Sequence, residues 1–249
     1  MAEEIVEENP ANHIRPPAPE VERDRFHTVE ELAEIWAAAK RLGYPFEHFT
    51  KLLIAVPMRR NEIASIQLSE IDFSDDLNPG DSVWTLPSDR TKNAFALRVP
   101  LSPLAREIII SARDHEARPT GSEFLFSTTG TTPISGFAKA KRKLDSLIQK
   151  RRDEKRGSSP TDNSSMAPWI WHDLRTTFAT LASDELSIDP QVADRCLNHQ
   201  ASATRSKIAR IYNRSELFEP RKAALAAWGK FIEERVSGSP LAAHSADHK

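Results

Sequence analysis

The stretch Trp171-His172-Asp173-Leu174-Arg175-Thr176-Thr177-Phe178-Ala179-Thr180 decides how this chain is read, together with Leu197-Asn198-His199 and Tyr212 downstream. Ile170, Leu174, Phe178 and Leu181 recur at helical spacing and predict one amphipathic helix with these residues on its buried face. His172 and Arg175 then share a turn near its start. A planar, permanently charged guanidinium beside an imidazole that exchanges protons near neutral pH suits a phosphate ester. The pair alone decides little, because most His and Arg side chains at this spacing only decorate a solvated helix face.

Composition narrows the field. The chain has 249 residues, enough for one large domain or two small ones with a real core. No run of about 18 apolar residues is present to span a bilayer, and the acidic N terminus lacks a signal-peptide pattern. The lone Cys196 lies in an apolar helix pattern beside Ala193 and Leu197, so it reads as a small core residue in a reducing cytoplasm. The formal net charge of -2 averages unlike segments. The first 35 residues carry ten acidic and three basic side chains, whereas the remainder carries 31 basic and 26 acidic. Residues 139 to 156 hold nine basic side chains against Asp145, Asp153 and Glu154, a stripe that suits a phosphate backbone or a solvated helix face.

Along the chain, residues 1 to 25 are rich in Glu, Pro and Asn without apolar period, and read as an acidic, disordered linker or arm. Thr28-Val29-Glu30-Glu31 is a capping box that opens a helix through Leu32, Ile35, Trp36 and Ala39. A second helix is expected over Phe46 to Ala55, broken at Pro57, followed by a short one from Met58 to Ile66 in which Arg59 and Glu62 are positioned for an ion pair. Ser82 to Leu86 and Phe95 to Val99 are strand-prone, with Lys92 in the turn between them. Ser102-Pro103 and Asp189-Pro190 are helix starts, and a short strand is expected at Glu123 to Ser127. Phe137, Lys141, Leu144 and Ile148 make the basic segment one face of a helix, and Gly157 to Pro168 reads as a loop. Pro220 to Val236 forms a last amphipathic helix that could pack on its own domain or on a neighbouring subunit, with a tail over residues 237 to 249.

In order, the chain thus offers Arg59 with Glu62, Lys92 in a hairpin, His172 with Arg175, His199 after Leu197-Asn198, and Tyr212. That series resembles the catalytic domain of tyrosine recombinases of the phage-integrase type, over roughly residues 26 to 236. The resemblance implies an α+β, mainly helical fold with a small antiparallel β-sheet. It implies Arg59, Lys92, His172, Arg175, His199 and Tyr212 as catalytic residues, double-stranded DNA as partner, and a tetramer assembled on it. It further implies a mobile-element enzyme of the bacterial cytoplasm that needs no metal, ATP or small-molecule cofactor and no membrane. Two positions depart from the family pattern: Val56-Pro57 stands where Thr-Gly is common, and Asn198 where Gly is common.

The chemistry such residues could perform is separable from the resemblance. A phosphodiester resists nucleophiles until its charge is neutralised, which Arg59, Arg175 and His199 could do through preorganised hydrogen bonds. A Tyr hydroxyl with a pKa of about 10 becomes a better nucleophile beside guanidinium groups. Tyr212 would then form a phosphotyrosyl ester, with Lys92 as general acid and His172 handling the proton or positioning the phenol. Glu62 reads as a buttress for an arginine. Tyr44, between Gly43 and Pro45 and upstream of every other motif, is the poorer nucleophile. A DNA-binding remnant without recombination activity is the alternative, and a relaxing type IB topoisomerase a more distant one.

Overall fold

The structure is a computed structural model that describes residues 24–73, 81–90, 96–156, 165–198 and 217–238. Helix α1 (Val29–Ala39) begins at the expected capping box: Thr28 Oγ1 accepts the Glu31 amide, and the Glu31 carboxylate accepts the Thr28 amide, each at 3.2 Å. Helix α2 (Phe46–Ala55) buries His48, Phe49, Thr50 and every residue from Leu52 to Ala55, because other elements surround it. α1, α4 (Pro103–Arg113) and α6 (Asp173–Asp184) all pack on it. The short α3 (Arg60–Ala64) follows the break at Pro57.

Strands β1 (Ile71–Asp72), β2 (Val83–Leu86) and β3 (Leu97–Pro100) form an antiparallel sheet in the order β1-β2-β3, with Trp84 opposite both Ile71 and Val99. The other α-helices among the described residues are α5 (Phe137–Arg156), α7 (Pro190–Cys196) and α8 (Phe218–Phe231), which runs on into a π turn, Ile232–Ser237. The fold is therefore mainly helical with a small antiparallel sheet, as the resemblance implies. The final helix closes on its own domain. Trp228 is 1% exposed, its ring meets Phe178 edge-on, and its indole N–H donates to the Ile54 carbonyl at 2.9 Å.

Two expectations fail for identifiable reasons. Glu123 to Ser127 is no strand, and makes one isolated bridge, Gln67 to Phe124. The Tyr44 side chain satisfies the backbone groups that a neighbouring strand would otherwise take: its hydroxyl donates to Leu125 O (3.0 Å) and accepts from the Ser127 amide (3.2 Å). Ile170 is not on the buried face but 48% exposed. Asp173 Oδ2 accepts the Ile170 amide (2.9 Å) while Ile170 O accepts the Asp173 amide (3.0 Å), so the chain turns ahead of α6 and the flanking Trp169 and Trp171 supply the burial instead. Cys196 is buried, and burial pushes its thiol up to about 12, which suits a packing residue and not a nucleophile.

The closest packing of α8 is at Gly229, where an added Cβ would lie 2.6 Å from Ser102 Oγ and 2.8 Å from Ser102 Cβ. Ser102 caps α4 by accepting the Ala105 amide, so it cannot move away without losing that bond. Alanine in a helix gains about 0.5–1 kcal/mol over glycine, while overpacking costs about 1–3 kcal/mol. Gly229→Ala is therefore expected to lower stability, read as an earlier urea midpoint.

Candidate active site

His172 occupies the N-cap position of α6, and its side chain is exposed. Arg175, one turn on, is only 2% exposed. The turn thus carries an imidazole at the surface and a guanidinium in the interior. Arg175 Nη1 donates to Pro57 O at 2.6 Å, and Nη2 donates to Leu197 O at 2.7 Å. One planar fork therefore joins the turn ahead of α3 to the end of α7. Only a guanidinium offers two rigid, diverging donors for carbonyls belonging to separate elements.

Arg59 stands at the N-cap of α3, and a single carboxylate positions it. Glu62, itself 8% exposed, accepts the Arg59 amide (2.8 Å) and Arg59 Nη1 (3.0 Å). The Arg59 side chain remains 38% exposed, so its charge is held in place yet open to solvent. Burial pushes the Arg175 pKa down to about 10, the Arg59 charge acts in the same direction, and Glu62 opposes both. Arg175 remains a cation at neutral pH. The two arginines expected to act together therefore lie within each other's field, with Glu62 as the buttress.

Helix α7 delivers the third motif. Asp189 accepts the Gln191 amide at 2.7 Å with Pro190 in the first turn, and the helix stops at Leu197-Asn198. Asn198 ends it with φ +53°, in the left-handed region. His199 and Tyr212 lie outside the described residues, between Asn198 and Leu217. Lys92 also lies outside them, but the chain leading to it is anchored. Arg90 Nη1 donates to Ser65 O (2.7 Å) and to Glu70 Oε1 (2.6 Å), while Glu70 Oε2 accepts the Trp84 indole N–H (3.0 Å). Strand β2 and the residues just after it are thereby tied to the C-terminal end of α3, whose N-cap is Arg59.

On α5, Lys141 pairs with Asp145 and lies 3.9 Å over the Trp169 ring, and Arg152 pairs with Glu34. Lys139, Arg142 and Lys143 in the N-terminal half are exposed. Arg60, next to Arg59, stacks its guanidinium 4.6 Å from the centroid of Phe137, the first residue of α5. The basic helix therefore begins beside the arginine turn. Tyr44 is engaged in packing: both hydrogen bonds of its hydroxyl serve the backbone, its ring stacks on His115, and burial raises its pKa.

Residues 25–216 match the phage integrase family. The chain belongs to that family of tyrosine recombinases. Its fold is similar to that of the site-specific recombinase XerH in a post-cleavage complex with palindromic difH substrate, at 18% identity and a TM-score of 0.50, covering 78% of this chain and 51% of that one. A lambda integrase dimer bound to a COC' core site matches at 18% identity and TM-score 0.49, covering 80% and 50% respectively. A lambda integrase tetramer bound to a Holliday junction matches at 19% identity and TM-score 0.49, covering 78% and 52%. This chain thus spans about half the length of these three solved recombinase chains. No curated protein gives a significant match.

In this integrase-family protein the two departures from the expected pattern have physical readings. A left-handed residue after a helix is tolerated by glycine and, among other residues, best by asparagine, so Asn198 makes the turn that Gly would make. Pro57 gives up an amide donor, but the group used here is its carbonyl, which accepts from Arg175. The Pro57 and Leu197 carbonyls leave no trace in the residue pattern, and neither does the Arg90–Glu70 anchor, since an arginine in a turn reads as a solubilising charge. Lysine at position 175 would place one ammonium where two diverging donors are needed. Arg175→Lys should therefore leave a buried carbonyl unpaired at ~1–3 kcal/mol, a drop in Tm of roughly 2–4 °C per kcal/mol in thermal unfolding.

Proposed function

We propose that this chain cuts and rejoins double-stranded DNA through a covalent phosphotyrosyl intermediate, as a site-specific recombinase of a phage or other mobile element. The observation that carries this reading is the Arg175 fork, which brings the Arg59 turn and the Leu197-Asn198 helix end to one point in a member of the phage integrase family. Arg59, exposed and aimed by Glu62, would meet the non-bridging phosphate oxygens directly. Arg175 would supply positive charge from beneath and hold the frame, with His199 as a further donor.

The Tyr212 oxygen would attack phosphorus, forming the Tyr–O–P bond as the P–O5′ bond breaks. Lys92 would give the leaving 5′ oxygen its proton, and His172 would receive or relay the phenolic proton. The ester conserves the energy of the original linkage, so a 5′ hydroxyl can reverse the step without ATP. We extend to this chain assembly as a tetramer on DNA, the state in which lambda integrase is bound to a Holliday junction.

On a nicked suicide duplex, the wild-type chain should give a covalent adduct resolved by denaturing gel and mapped to Tyr212 by mass spectrometry. Tyr212→Phe should give none, and Arg59→Ala should slow its formation by about 10²–10³-fold, the cost of losing one preorganised donor. DNA binding without any adduct would favour a remnant that keeps the fold alone, and attachment at Tyr44 would sink the assignment. Exposed Lys139, Arg142 and Lys143 would follow the phosphate backbone beside the site. Replacing all three with Gln should weaken binding to all sequences and reduce the salt slope of log K by about one for each phosphate no longer neutralised, read by fluorescence anisotropy across a salt series.

A further inference from the structure

Thr177 lies two residues beyond Arg175 on α6, and its hydroxyl is a junction. Oγ1 donates to Asp173 O at 2.7 Å, accepts the His27 backbone amide at 2.9 Å and stands 2.9 Å from His27 Nδ1. A hydroxyl has one proton and a carbonyl can only accept, so that proton goes to Asp173 and Nδ1 must be a donor. With the hydroxyl proton on Asp173 O, the arrangement calls for the Nδ1–H tautomer of His27. It is 0% exposed, meets Trp169 edge-on with ring centroids 4.9 Å apart, and its Nε2 is buried without a hydrogen-bond partner among the described residues. A side chain serving only to fill space here would be apolar. Burying a polar ring nitrogen without a partner is costly, and only the Nδ1 contact offsets that cost here.

We propose that His27 is a positioning residue for the active site: through Thr177 it fixes the rotation of α6, and with it the placing of Arg175 and His172 against Arg59. The helix carries both groups, and side chains extend about 5–6 Å from a helix axis. A turn of about 10° would therefore move a guanidinium by about 1 Å, a displacement that can cost about 10²-fold in rate. The segment before α1 meets α6 at the Thr177 hydroxyl, while Asp173 also holds the turn ahead of the helix through Ile170. Four charged groups surround the imidazole: Arg25 on its own segment, Glu31 on α1, Lys141 on α5 and Asp173 on α6. Burial, with Arg25 and Lys141 acting alongside it and Glu31 and Asp173 against, pushes the pKa down to about 4, so the ring is neutral at physiological pH.

The inference rests on the recombinase reading only for its effect on rate, so the test has arms independent of activity. In the full 249-residue chain, nitrogen NMR of His27 at pH 7 should show Nδ1 protonated. His27→Leu keeps bulk and loses the donor, His27→Asn returns an N–H donor near the Nδ1 position, and Thr177→Val removes the acceptor. Hydrogen exchange at the amides of residues 173–178 should quicken in His27→Leu and Thr177→Val, stay slow in α2 and α4, and recover in His27→Asn. The single-turnover rate of adduct formation at saturating DNA should fall about tenfold or more in the first two variants, with DNA affinity unchanged, and recover in the Asn variant. An Nε2–H tautomer, unaltered α6 exchange in His27→Leu, an unaltered rate in a chain whose wild type cuts, or failure of Asn to rescue would overturn the proposal. A wild type that forms no adduct defeats the recombinase reading instead, and the NMR and exchange results then decide the role of His27 alone.

Discussion

A buried guanidinium is an expensive way to join two loops. Arg175 is 2% exposed and its pKa is depressed to about 10, so the fold bears the cost of desolvating a cation that has another cation, Arg59, nearby. Charge-assisted bonds to the Pro57 and Leu197 carbonyls, together with Glu62, offset that cost. In return three separate parts of the chain acquire a common reference point: the turn before α3, the first turn of α6 and the end of α7. An apolar side chain of similar size would fill the space, but it would leave both carbonyls unpaired and would bring no positive charge to the site.

The scaffold around this fork is arranged to keep it from shifting. The first turn of α6 is bonded from three sides: Asp173 holds the Ile170 amide, Thr177 bonds back to Asp173 O, and His27 reaches Thr177 from the segment before α1. The hairpin side is stiffened by Arg90 between Ser65 and Glu70. Trp228 and Gly229 seat α8 against α2 and the N terminus of α4. These contacts hold the frame in place while the His172 side chain and part of the Arg59 side chain remain open to solvent.

Much of this was legible in the residues. Thr28 with Glu31, Ser102-Pro103 and Asp189-Pro190 each mark a helix start that the structure realises, because a cap is a local hydrogen bond between side chain and nearby backbone. The spacing of Arg59 and Glu62 likewise foretold their ion pair. What failed was non-local. Glu123 to Ser127 has the composition of a strand, but whether a partner strand or a tyrosine hydroxyl meets its backbone depends on where Tyr44 lands, some eighty residues earlier in the chain. Ile170 fits a helical period, yet the helix begins three residues later, and a single carboxylate on Asp173 makes that difference.

The amino-acid sequence by itself determined the helices and their caps and the basic face of α5, since each depends on neighbours within a turn or two. Tertiary structure alone decided which arginine is buried and which is exposed, that two backbone carbonyls far apart in the chain hold Arg175, that the final helix closes on its own domain, and that His27 reaches α6. The physical reason is common to all of these. Burial and hydrogen bonds between distant segments depend on how the elements pack together, and a residue's own surroundings in the chain carry no record of the partner that packing will bring.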